Sequence, residues 1–423
     1  MDKKSFAQSG HLPTLIAAFL YFDISFMVWV LFGPMAPFIA DDMSLSATQK
    51  GLLTAVPLLG GSFFRPLLGL LADRIGGRKA GLIGLALTLF PLILGWRFAH
   101  ELWQLYVMGF LLGIAGASFA VALPLAGRWY PLEHQGLAMG IAGAGNSGTL
   151  IATLFAPRIA QHFGWHDVFG FALLPVVLVL AVFFLTARNS PTKSAPKPWA
   201  KYGELLGQGD TWRLCFLYSL TFGGFVGMTS FLSVFFHDQY HLSKVHAGDI
   251  TTIVVLSGSF LRPVGGWLSD KVGGFRLLLT IFAGVALCLT IVSALPGITL
   301  VVPSLFLAMG MLGMGNGAIF QMAPQRFAAD IELITGIVGA AGGLGGFFLP
   351  SALGALKDIF GSYGTGLLSV ALLFAGSIVM LLEFGVRWRS TWSPAALSRT
   401  SVFSYRKVRQ PDLEEIPPSS EAA

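Results

Sequence analysis

The chain has 423 residues, of which 54% are hydrophobic and only 11% charged, less than half the roughly 25% charged residues of a soluble globular domain. With 36 Phe and 52 Gly, this excludes a disordered chain, a nucleic-acid binder and an ordinary cytosolic enzyme. Cys215 and Cys288 both lie inside apolar runs and offer neither a disulfide framework nor a thiolate metal site.

A helix needs roughly 20 apolar residues to cross the hydrocarbon core of a bilayer. Apolar stretches of that length predict spans at 14–38, 48–72, 79–98, 103–126, 134–157 and 168–187. After a polar interval they resume at 213–236, 246–270, 274–295, 299–323, 334–356 and 363–386. This predicts an all-α integral membrane protein with twelve spans. The opening MDKKSFAQSG is too polar to begin a cleaved signal peptide. With the N-terminus placed in the cytoplasm, Lys50, Arg97, Arg158, Lys244 and Lys357 fall outside, Arg65 and Arg262 fall within spans, and the remaining basic residues of the 27 face the cytoplasm. The positive-inside rule therefore sets both termini in the cytoplasm and accounts for the net charge of +6 without a nucleic-acid partner.

Residues 188–212 are rich in Pro, Lys and Ser and read as a cytoplasmic linker between an N-terminal half, 1–187, and a C-terminal half, 213–387. The tail, 388–423, carries both charge signs and reads as disordered. SFFRPLLGLLADRIG at 62–76 aligns without gaps on SFLRPVGGWLSDKVG at 259–273, an offset of 197. Gly113 and Gly116 recur at Gly310 and Gly313, and one residue of slippage places Gly140 and Gly143 on Gly336 and Gly339. Two similar six-helix halves about an axis along the membrane normal are a transporter architecture.

GLLADRIGGRK (69–79) and its weaker copy GWLSDKVGG (266–274) resemble the loop signature of the major facilitator superfamily. GIAGAGNSGTLIATLFAP (140–157) and GIVGAAGGLGGFFLP (336–350) are similar to the two glycine-rich signatures of its nitrate/nitrite porter family, which also carries an Arg in the second and eighth spans. The resemblance implies the major facilitator fold, with nitrate and nitrite as substrates and no cofactor. It implies a multi-pass protein of the bacterial inner membrane, surrounded by lipid and expected to be monomeric.

The residues themselves point the same way. Arg65 and Arg262 lie about seventeen and sixteen residues into their spans, one per half. An ionised Arg there is costly unless it faces a protein-lined cavity or a partner, and no carboxylate is paired to them by the repeat. Two guanidiniums converging on a central cavity suit a small planar oxyanion, because the fork of donors meets two oxygens at once. Pro66 and Pro263 follow them and free the carbonyls of Ser62 and Ser259. Gly140, Gly143 and Gly148, with Gly336, Gly339 and Gly343, have the spacing of close helix packing and of helices that slide as the halves rock.

The resemblance places Asn146 at the family's substrate-region Asn, and Phe119 where an aromatic covers the anion. Tyr218 and Phe222 match its seventh-span Tyr and Phe. It assigns Asp73, Arg74, Arg78 and Asp270, at span ends, to a conformational latch. Asp23 is the acidic residue nearest any span's middle, and a buried acid that changes charge is how proton coupling is built. Pairing to an arginine, or a bond to a neighbouring helix, is the structural alternative for it. The family's exchangers typically lack such an acid, so Asp23 favours proton-coupled nitrate import. A nitrate/nitrite exchanger, a transporter of another small anion such as a carboxylate, and an anion receptor on a transporter scaffold are the alternatives. No P-loop GxxxxGK[ST] is present and the eight His have no metal-ligand spacing, so neither a pump nor an enzyme is expected.

Overall fold

The computed structural model describes residues 6–190, 199–327 and 330–392. A short helix, α1 (Phe6–Ser9), precedes the first passage, which is broken into α2 (Leu12–Trp29) and α3 (Phe32–Met43). Passages two and three are α4 (Ala47–Ile75) and α5 (Gly77–Arg97), and the fourth is broken into α6 (Leu102–Gly116) and α7 (Phe119–Gly127). The fifth comprises α8 (Leu132–Gly143), a 3-10 turn at Ala144–Ser147 and α9 (Gly148–Phe163), and the sixth is α10 (Trp165–Thr186). After α11 (Trp199–Leu206), passages seven to twelve are α12 (Gly209–Tyr240), α13 (Lys244–Val272), α14 (Gly274–Ser293), α15 (Ile298–Arg326), α16 (Ile331–Phe360) and α17 (Tyr363–Thr391).

Eleven of the twelve are apolar enough to be identified as membrane spans by length and composition. The exception, α13, carries Asp249, Arg262, Asp270 and both end lysines in its 29 residues, yet it packs along α15 as α4 packs along α6. In both seams glycines let backbones meet. A Cβ on Gly258 would fall 2.6 Å from the Met309 carbonyl, and one on Gly60 would collide with the Phe110 carbonyl.

Local chemistry explains the ends and the breaks. Ser46 and Gln49 form a reciprocal cap on α4, as Glu101 and Gln104 do on α6. Gly76 and Gly273 close α4 and α13 at φ 90° and 89°, and Gly164 and Gly361 close α9 and α16 at 91° and 72°. Both pairs stand 197 apart, so the repeat extends to four turns that only glycine adopts without strain. Pro34 has no N–H for the Val30 carbonyl, which takes Gly33 N–H at 3.0 Å instead, and the first passage breaks there. The fifth passage breaks among Gly140, Gly143, Gly145 and Gly148, where helix propensity is lowest.

Two expectations need correction. The interval 188–212 contains the helix α11 and the first turn of α12; Lys201 of α11 pairs with Glu204 at 2.9 Å and Asp330 at 3.3 Å, carboxylates that hold its ammonium above the usual lysine range. Helix α17 runs to Thr391, past the tail boundary at 388, because Trp388 and Trp392 donate to Asp210 at 2.9 and 3.1 Å. The remaining tail, from 393, lies outside the described residues.

Residues of the two halves grip each other at one end. Lys50 pairs with Asp238 at 2.8 Å, Arg158 with Asp249 at 2.7 Å and Lys244 with Asp41 at 2.6 Å. Asp358 on α16 accepts from Ala47 N–H at 3.2 Å and Thr48 N–H at 2.8 Å, capping α4 across the interface. The opposite end is open.

Candidate anion-binding site

From that open end a cavity of about 1580 Å³ reaches inward to Arg65, Phe119, Arg262, Asn316 and Phe320. Arg65 is 1% exposed. Its Nε donates to the Gly116 carbonyl at 3.0 Å and its Nη1 to the Gly339 carbonyl at 2.5 Å. The first of these acceptors exists because the fourth passage breaks: Ala120 N–H bonds Ala117 O, which leaves Gly116 O outside the helical ladder. The second comes from the other half of the molecule. Around the guanidinium stand the rings of Phe222 at 5.0 Å, Trp29 at 5.1 Å and Phe119 at 5.5 Å, contacts worth about 0.5–2 kcal/mol each when desolvated. Carbonyls and ring faces thus take the place of a counter-ion.

Arg262 lies over the same Phe119 ring at 5.5 Å and over Phe320 at 5.9 Å. Phe119 is therefore shared by both cations. Tyr218 is fully buried, stacked on Phe222 at 5.1 Å and set edge-on to Phe320 at 5.0 Å. Three polar groups here, Arg65 Nη2, Arg262 Nη1 and the Asn316 amide, are buried without a hydrogen-bond partner that meets strict geometry among the described residues, and the buried Tyr218 hydroxyl stands beside the Arg262 guanidinium. Buried polar atoms are rarely left so, and clustered donors beside two positive charges are what a small anion requires. The acidic residues bordering the cavity are Asp73 and Asp270. Each is eight residues beyond its arginine, about 12 Å along the helix, too far to neutralise it directly.

The structure therefore brings together Arg65, Arg262, Phe119, Tyr218 and Phe222. Asn146 is buried in the 3-10 turn with both amide atoms unpartnered and does not border the cavity. Asp23 is likewise away from it. Its carboxylate accepts from the Ser147 hydroxyl at 2.6 Å and from the Gly148 N–H at the start of α9, where the helix dipole favours an anion. Among the described residues it forms no ion pair with Arg65 or Arg262.

The glycines divide. A Cβ on Gly148 would collide with the Asp23 backbone and one on Gly343 would fall 2.5 Å from Ser62 Oγ, both as close packing requires. A Cβ on Gly140, Gly143 or Gly336 would meet nothing within 4 Å, and one on Gly339 only Arg65 and Phe119 at 3.9 Å. These four border the cavity because the two halves are parted at this depth, so close helix packing is not their role in this conformation. The four latch residues are not joined to one another either. Asp73 pairs with Arg128 at 3.7 Å and Arg78 donates to the Phe184 carbonyl at 2.7 Å. Arg74 and Asp270 are exposed at the mouth, as the open end dictates. Sequence reasoning missed Trp29, Phe320 and Asn316; only Asn316 carried a signal, since it stands 197 residues after Phe119.

Broken membrane helices, a central cavity open at one end and residues of two related halves closed at the other define a secondary transporter of the alternating-access class. The profile described as Major Facilitator Superfamily matches residues 17–350, and the chain belongs to the nitrate/nitrite porter family of that superfamily. It is 35% identical over 360 residues to the "Nitrite extrusion protein" of Bacillus subtilis (strain 168), covering 84% of this chain and 90% of that one. It is 35% identical over 380 residues to the "Probable nitrate/nitrite transporter NarK2" of Mycobacterium tuberculosis (strain ATCC 25618 / H37Rv), covering 88% and 95%. The "Probable nitrate/nitrite antiporter NarK1" of Thermus thermophilus is 30% identical over 372 residues, covering 80% and 84%. Among solved structures, the partially occluded inward-open xylose transporter XylE from E. coli matches with TM-score 0.72 at 14% identity over 89% of this chain and 99% of that one. An inward-facing, occupied bacterial homolog of the lysosomal transporter Spinster matches with TM-score 0.63 at 19% identity over 90% and 98%. At such identities these two establish the fold alone.

Proposed function

We propose that this protein carries nitrate, with nitrite as a second substrate, across the bacterial inner membrane by alternating access. The observation that supports this most is the pair Arg65 and Arg262. They come from repeated helices, share one Phe119 ring, and each keeps a buried N–H unpartnered. Nitrate is planar, singly charged and bounded by oxygens, so the unpartnered guanidinium N–H groups of both arginines and the ring edges around them suit it. Tyr218 supplies a hydroxyl donor, and Phe119 and Phe222 wall the site. Both termini are assigned to the cytoplasm, which makes the open end inward-facing. Asp73, Arg74, Arg78 and Asp270 meet across the halves when that end closes, and the chain works as a monomer.

Import is coupled to protons through Asp23, which changes its charge while Ser147 and the start of α9 hold it. A second reading, nitrate/nitrite exchange, is favoured by one observation: the Asp23 carboxylate has two donors and does not border the cavity. Labelled nitrate entry into proteoliposomes separates the two. Uptake into empty vesicles driven by an inward proton gradient, and lost in Asp23→Asn, supports import. Uptake only into nitrite-loaded vesicles at equal pH supports exchange. No uptake of labelled nitrate under either condition, with uptake of a labelled carboxylate instead, would move the two arginines to a different anion.

A further inference from the structure

Asn316 has a combination of properties that the site described so far leaves unused. It is fully buried, it borders the cavity, and both its amide atoms lack hydrogen-bond partners among the described residues. An unpaired buried amide costs about 1–3 kcal/mol, so a partner is expected during the transport cycle. It lies one helical turn before Phe320, whose ring touches Tyr218, Phe119 and Arg262, and residues four apart share a helix face. By the repeat it occupies the position of Phe119. The first half thus places an apolar ring where the second places an amide, and Leu123 in the first half answers to Phe320 in the second. The two halves therefore present unlike surfaces to an occupant held between like cations.

We propose that Asn316 is a specificity-determining residue that donates its Nδ2–H to the third oxygen of bound nitrate, the oxygen that nitrite does not have. The inference rests on the nitrate reading above. Two guanidinium edges engage two oxygens, a requirement that nitrate and nitrite meet equally. A donor set apart from both arginines then acts on nitrate alone. Replacing the amide by an apolar group of similar size removes that donor without opening a cavity.

The test is binding of nitrate and of nitrite to the purified full-length protein and to Asn316→Leu, by isothermal titration, with thermal unfolding of the ligand-free proteins in parallel. The expected result is a nitrate Kd raised about tenfold, the loss of one hydrogen bond to a charged ligand, with the nitrite Kd changed less than about threefold. Ligand-free Asn316→Leu should unfold at the same temperature or higher, since an unsatisfied amide has been removed. An amide with a purely structural role would instead lower that temperature and weaken both anions alike, and this outcome overturns the proposal. Unchanged nitrate binding overturns it too. If the unsubstituted protein binds neither anion, the functional reading fails and this inference with it. If it binds both and the variant loses them equally, only the inference fails.

Discussion

Replacing Gly354 by alanine introduces a methyl group at the place where α4 and α16 touch at the closed end. The new Cβ would lie 3.0 Å from Ala47 C and 3.2 Å from Gly51 Cα, and nearer still to the Ala47 carbonyl oxygen. Because these neighbours are backbone, the helices themselves must part by on the order of 1 Å, an overpacking cost of about 1–3 kcal/mol. Nothing in the contact can relax by a rotamer change. The contact exists only while this end is shut, so the cost falls on this conformation and not on the alternative, in which the halves separate here. The alanine's better helix propensity, about 1 kcal/mol, acts on both conformations and cancels from their ratio. The ratio should therefore move by roughly 5- to 150-fold toward the state open at the other end. Spin labels at Lys79 and Lys271, on the two lips of the present opening, in a background with Cys215 and Cys288 replaced by alanine, read this as a shift from long to short distances in double electron–electron resonance. A distance distribution identical to that of unsubstituted Gly354 would refute the reasoning, since the added methyl would then have found space without parting the halves.

Three further outcomes are expected. Arg65→Lys and Arg262→Lys keep the charge but replace a planar fork by a single ammonium; nitrate transport by each should fall at least about tenfold, and normal uptake by both would remove the clamp. Asp23→Asn should lose uptake driven by a proton gradient while retaining whatever nitrite-driven exchange the protein has, and full gradient-driven uptake would return Asp23 to a structural role. Asp210→Ala strips a carboxylate that pairs with Arg213 at 2.5 Å and Arg326 at 2.7 Å and accepts from Trp388 and Trp392. With Arg326 31% exposed, about 3 kcal/mol is lost rather than the full cost of breaking a buried pair, and the unfolding temperature in detergent should drop by on the order of 5 °C. An unchanged midpoint would show that these helix ends are held by apolar packing alone.

The membrane passages were legible because apolar length is a property of the sequence itself; each expected span coincides with an observed passage, and only those ending at 98, 187 and 295 overrun the helix, by one or two residues. Repetition made the architecture legible: an Arg-Pro pair, an Asp and a Gly recurring at one offset locate two helices before any packing is known. What stayed hidden depends on contacts between passages. The break at Ala117–Ser118 is an ordinary apolar stretch in the sequence, yet it frees the carbonyl that Arg65 uses. Nothing near Trp29 signals that its ring will face Arg65 while its Nε1 donates to Pro57 O at 2.7 Å. The roles of Gly140, Gly143 and Gly336 could not be read at all, because a small residue serves equally to let helices close and to line the space when they part, and only the conformation decides. Asp73 has the same ambiguity, since its partner in this conformation, Arg128, belongs to its own half.

The two guanidiniums at the inner end of the cavity also bear on what the protein must keep out. Hydronium and metal cations that enter past Asp73 and Asp270 at the mouth meet fixed positive charge at the inner end, and arginines so placed raise an electrostatic barrier of the kind that makes other membrane pores proton-tight. Water can fill the cavity without the site becoming a leak for the proton gradient across the membrane. In the proposed coupling through Asp23, the proton travels on a track separate from the anion's, on the face of α2 turned toward the fifth passage, and the two charges need never share a room.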